Sequence, residues 1–168
     1  MKMLRGFIAI SILMVVAVFA ASAQTDLTSL DGTHVNIEGQ TGKVVVLAIG
    51  ASWLPLSNKQ AEFTNALAKK YSGRDVIVYF VATDSVIASS KNFASSESIR
   101  KFATGNKLTV TVLRDSDGAA TLRKFDIEQV PSFVILDKSG HKVGEAFGGI
   151  DPKYDVTVPI SKTIDKLL

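Results

Sequence analysis

The chain contains no cysteine in its 168 residues. That absence excludes structural disulfides, thiolate nucleophiles, thiolate metal ligands and a lipid anchor carried on a leader cysteine. Histidine is nearly as scarce, with only His34 and His141. They lie far apart in turn-like or strand-edge contexts, and no Asp or Glu spacing completes the three protein ligands that a metal site wants. Clustered Lys or Arg is missing too. The formal charge of +3 falls to near +1 once Lys2 and Arg5 are set aside. That balance gives no footprint for nucleic acid or an anionic membrane as partner.

What is present begins with the pattern of an export leader. Lys2 and Arg5 form a positive start, Phe7 to Ala20 is apolar apart from Ser11, and Ala21-Ser22-Ala23 offers a small-x-small cleavage site. Residues 1–23 are therefore expected to be a signal peptide and residues 24–168 one domain, periplasmic or extracellular. The alternative is a retained anchor, for which the apolar stretch is shorter than the roughly 20 residues of a spanning helix. A domain of this size buries about 68–70% of its unfolded surface, so it does not need disulfides outside the cell.

Leu27 to Ile37 reads as two extended pieces around an Asp31-Gly32 turn. Lys43 to Ile49 is a continuous apolar run, as expected of a strand covered on both faces. Phe63, Ala66, Leu67 and Tyr71 then share one helical face. Ser57 to Gln60 fits a capping box for that helix, although Pro55 could start it a turn earlier. Asp75 to Thr83 is a second β-rich run, and the serine-rich stretch from Ser85 to Ser96 reads as a surface loop. A helix is expected over Ser98 to Lys107, an extended piece over Leu108 to Leu113, and a short helix over Ala119 to Phe125. Val130-Pro131 breaks the chain before a strand at Ser132 to Leu136. Ser139-Gly140 turns into a further strand at Lys142 to Phe147. Pro159 to Leu168 closes the chain with an amphipathic helix. This order gives an α/β domain around one mixed sheet.

Several stretches, in order, carry a resemblance to a known family. Leu30-Asp31-Gly32, Gly42 to Leu47, Ala51-Ser52-Trp53, Val112 to Gly118 and Val130 to Gly140 resemble exported thioredoxin-like proteins of the TlpA and ResA type, relatives of the peroxiredoxins. The resemblance covers Asp26 to Leu168. It implies the thioredoxin-like fold, a central mixed β-sheet flanked by helices on both faces, and a redox turn reading Trp-Cys-x-x-Cys. Here that turn reads Trp53-Leu54-Pro55-Leu56-Ser57. Leu54 takes the place of the attacking thiol and Ser57 that of the resolving thiol. Gln60 stands where ResA-like reductases place a glutamate, and Ala48 where thioredoxins bury an acid. Four chemical positions are neutral together, so catalysis by this site is not expected.

The same resemblance makes Pro131 the family's cis-proline. In the family, backbone groups at the position of Val130 pair with an extended substrate segment, and Trp53 would border that groove. The candidate binding residues are therefore Trp53, Leu54, Pro55, Leu56, Val130 and Pro131. Trp53 and Pro131 either line such a groove or only preserve the fold. No metal or cofactor is expected. Ser57 has no base or orienting partner signature that would make it a nucleophile, and Asp115 and Asp117 sit in a turn with Gly118 that lacks an EF-hand pattern. The expectation is a redox-inactive module that binds a protein or extended peptide, or an accessory in a thiol-disulfide or antioxidant pathway whose thiols come from another protein.

Overall fold

A computed structural model describes residues 24–168; the expected signal peptide lies outside them. Six strands form one mixed sheet in the order β2-β1-β5-β4-β3-β6. They are β1 (Asp26–Ser29), β2 (His34–Asn36), β3 (Val44–Gly50), β4 (Val76–Ala82), β5 (Thr111–Arg114) and β6 (Ser132–Leu136). Strands β3, β4 and β5 run parallel, while β6 pairs antiparallel with β3, and β1 with β5 and β2. Every residue of β3 is buried, as its unbroken apolar run implies for a strand covered on both faces.

Strand alternation divides the core in two. Val46, Ala48, Phe80 and Phe133 point to the side where α1 (Pro55–Lys70), α2 (Ser96–Gly105) and α3 (Thr157–Leu167) bring Phe63, Leu67, Ile99, Ile160 and Ile164. The Phe102 ring of α2 lies 5.4 Å from that of Phe80. Val45, Leu47, Ile49, Val134 and Leu136 point to the other side, under Phe125, Leu122 and Ile127. The architecture is the thioredoxin-like one. No helix among the described residues is long and apolar enough to cross a membrane.

Three local expectations need correction. Helix α1 begins at Pro55, whose missing N–H costs nothing at a first helical position, and its N-cap Leu54 makes no side-chain cap. Ser57 and Gln60 consequently lie inside the helix, both buried, and form no capping box. The expected helix at Ala119 to Phe125 is instead a 3₁₀ helix, Ser116–Gly118, followed by successive turns. The buried Asp115 carboxylate draws in the Ala120 and Thr121 N–H groups, each at 2.9 Å, and the Thr121 hydroxyl at 2.6 Å. The Leu122 and Phe125 N–H groups still reach back four residues, to Gly118 and Thr121, but positive φ at Asp117 and Asp126 brackets the stretch. Lys142 to Phe147 pairs with β6 only as bridges at Lys142 and Phe147. Gly144, at φ 67°, breaks the extended run between them.

Glu38, in the turn after β2, ties the N-terminal end to the second face. Burial alone would raise its pKa, but Lys124 at 2.6 Å and the Thr25 N–H and hydroxyl at 2.7 and 2.8 Å hold it below the ordinary value. A carboxyl with a depressed folded-state pKa contributes stability above its unfolded value and loses it as pH falls through the folded one. Stability is therefore expected to hold down to about pH 4.3 and to decline below it. Glu38→Gln should shrink that decline, measured as urea midpoints at about pH 7 and about pH 3. An identical acid decline in the variant would show that this clasp contributes nothing.

Candidate functional site

Because β3, β4 and β5 are parallel, the segments that follow them emerge at one end of the sheet, where open α/β sheets place their sites. Strand β6 begins at that same end, with Ser132 in register with Ile49. The turn after β3 and the Val130–Pro131 loop thus leave neighbouring strands side by side. The Val130–Pro131 peptide bond is cis.

The turn is fixed from below by polar groups. Asp84 is fully buried and accepts the Ser52 N–H at 3.0 Å and the Ser52 hydroxyl at 2.6 Å. Arg114, at the end of β5, reaches the Ala94 carbonyl at 2.9 Å and the Ser96 hydroxyl at 3.1 Å, and so pins the far end of the loop after β4. The near end is held by Ser85, whose hydroxyl donates to Asp117 at 3.0 Å, while the Asp117 N–H donates to the Thr83 carbonyl. The carboxylates of Asp84, Asp115 and Asp117 are thus occupied by hydrogen bonds within the chain. Among the described residues no three His, Asp or Glu groups gather in a form that could hold a metal ion.

Each neutral replacement has a structural partner. Ala48 is buried in the helix-side core, in register with Phe80 and Phe133. Leu54 is half-buried at the start of α1, and Ser57 accepts the Ala51 N–H at 3.3 Å. Gln60 does more. Its Nε2 donates to the Ile49 carbonyl at 3.1 Å and to the Ser132 carbonyl at 2.8 Å, so one side chain joins the end of β3 to the start of β6. Its Oε1 is buried without a partner. None of these groups can transfer electrons or act as an acid or base near neutral pH.

Among the expected binding residues, Trp53 is 52% exposed and Leu56 38% exposed. Pro55 is exposed, Val130 half-buried and Pro131 buried. The loop after β4 adds exposed Val86, Ile87 and Phe93 at the same end of the sheet. Sequence reasoning missed this contribution because the stretch is serine-rich. It also missed Asp84 and Arg114, which are single polar residues beside apolar runs and carry no motif.

Fold and site together define a thioredoxin-like domain in which both thiol positions are filled by side chains without redox chemistry. The family model described as Redoxin matches residues 17–162, and the chain belongs to the Redoxin family. Solved structures agree on the fold. The exposed lipoprotein thioredoxin of Streptococcus pneumoniae is 24% identical, with a TM-score of 0.68 over 86% of this chain and 100% of its own. A secreted disulfide oxidoreductase of Mycobacterium tuberculosis is 21% identical, with a TM-score of 0.64 over 84% of this chain and 95% of its own. A thioredoxin-like protein of Aeropyrum pernix is 20% identical, with a TM-score of 0.64 over 86% and 89%. At these identities the likeness speaks for the fold alone. No curated protein matches the sequence at a significant level.

Proposed function

We propose that this chain is an exported, redox-inactive thioredoxin-like module that binds a protein or extended peptide segment. Its binding surface is the groove between the Trp53–Ser57 turn and the Val130–Pro131 loop. The observation that carries this reading is the joint state of the turn: every reactive position is neutral, yet Trp53 and Leu56 remain outward on a backbone that Asp84 holds in place. An exposed apolar surface of this kind is a cost to a soluble protein unless something covers it. The leader pattern and the exposed or secreted relatives support an extracytoplasmic address.

Trp53→Ala or Leu54→Asp is expected to weaken capture of partners from the exported extract by about 2 kcal/mol or more, the usual contribution of an aromatic anchor. Circular dichroism must show an intact fold in each variant. If Leu54→Asp retains the same partners with the same affinity, the groove is not the site. Recovery of dithiol or disulfide proteins in the captured set would favour the accessory role in a thiol-disulfide pathway.

A further inference from the structure

A second candidate site lies on the other face of β6, away from α1. Strand alternation turns the Ser132 side chain to the same side as Val134 and Leu136. There it lines a cavity of about 360 Å³ between residues 126–129 and 142–148, within the size range of small-ligand pockets. Ser132 is 1% exposed and its Oγ has no hydrogen-bond partner. A buried hydroxyl left unpaired is unfavourable, and such groups in folded proteins nearly always find a partner.

The charged groups in the walls are mostly acidic. Asp126, Glu128 and Glu145 line the cavity with a single cation, Lys142. The Lys142 ammonium is turned to the Phe125 carbonyl. Among the described residues none of the three carboxylates is engaged in an ion pair. One side of the cavity depends on two glycines. A Cβ at Gly148 would stand 2.9 Å from the Gln129 Nε2, and one at Gly149 3.1 Å from it, so the Gln129 amide lies against bare backbone.

We propose that this cavity binds a cationic nitrogen group, an ammonium or guanidinium, from a free amine or a basic side chain. The Ser132 hydroxyl accepts an N–H at the cavity floor, and the carboxylates of Glu128 and Glu145 balance the charge nearer solvent. A bare metal ion fits less well, because the carboxylates are exposed and the space far exceeds one ion. The cavity adjoins the Val130–Pro131 loop through Gln129 and Ser132 but includes none of the groove residues, so the proposal holds whether or not that groove is used.

The test is calorimetric titration of the purified protein with agmatine and with the peptide acetyl-Gly-Arg-Gly-amide. The peptide carrying citrulline in place of arginine, which keeps the shape without the charge, is the control. Binding of agmatine identifies a free amine as sufficient, whereas binding of the arginine peptide alone identifies a basic side chain. Either supports the site, provided that citrulline weakens binding about tenfold or more, the usual effect of a hydrogen bond to a charged group. The double variant Glu128→Gln, Glu145→Gln should weaken binding by a similar factor, at exposed positions that do not disturb folding. Ser132→Ala should weaken it as well, without lowering the melting temperature, since the removed hydroxyl has no partner. Trp53→Ala should leave it unchanged. Failure of both cations to bind at millimolar concentration overturns the proposal, as does equal binding of the citrulline peptide or by the Glu128→Gln, Glu145→Gln variant.

Discussion

The double variant Leu54→Cys, Ser57→Cys is expected to close an intramolecular disulfide under mild oxidation and to gain weak insulin-reducing activity with dithiothreitol. The parent should remain at the buffer rate. Residues 54 and 57 are the N-cap and third residue of α1, held in one turn by the Ser57 N–H donating to the Leu54 carbonyl at 2.9 Å. That turn is short enough for the Cα separation of about 4.4–6.8 Å that a disulfide requires. A thiol at position 54 would face the free N–H groups and positive end of the helix, which lower a cysteine pKa below its ordinary value of about 8.5. Ser57 is fully buried and Leu54 only half so, so iodoacetamide should modify position 54 first and position 57 slowly. Activity should stay low, because Gln60 and Ala48 supply neither proton acceptor nor donor. Free-thiol assay and mass of the oxidised protein decide the matter. Two thiols that persist under oxidant would show that the turn does not hold the two positions together.

Gly50→Ala is expected to destabilise the fold by about 3 kcal/mol, in the range for an overpacked core together with lost buried hydrogen bonds. A Cβ at Gly50 would lie 2.3 Å from Gln60 Oε1 and 2.9 Å from Ser57 Oγ. The end of a glutamine side chain normally moves aside at little cost. This one cannot, because its Nε2 is bound to the Ile49 and Ser132 carbonyls. Shifting it breaks the connection between β3 and β6. The loss should appear as a fall in urea midpoint with unchanged m-value. Adding Gln60→Ala should recover part of it, so the double variant is more stable than the sum of the single effects implies. Strict additivity would mean that Gln60 is free to move and does not couple the strands.

The features legible in the sequence are those set by neighbouring residues. The apolar runs at Val44–Gly50, Val76–Ala82 and Ser132–Leu136 form the central strands because their composition suits burial on both faces. The neutral turn was equally legible, since residue identity at four positions settles its redox chemistry. What sequence reasoning missed depends on partners distant along the chain. Asp84 acts on Ser52 and Arg114 on Ala94, and no local pattern announces either pairing. Gln60 looks like half of a capping box until the helix is seen to begin at Pro55, after which its amide serves two strands instead. Ala119 to Phe125 reads from the sequence as a short helix that begins after the Asp117-Gly118 turn. Positive φ at Asp117 and Asp126, which no local spacing announces, brackets the stretch, and it settles into successive turns.

The segment from His141 to Phe147 has a consequence for how this protein behaves when concentrated. An outermost strand ordinarily presents open donors and acceptors to any other extended chain, which is how sheets grow from one molecule into the next. Here the Phe133 N–H and carbonyl both bond to Phe147, the Ile135 carbonyl receives the Val143 N–H, and the Asp137 N–H reaches the His141 carbonyl. The opposite margin is β2, only three residues long. A chain that keeps an apolar turn in solvent is thereby protected at both sheet margins, and self-association by strand addition has little template to begin from.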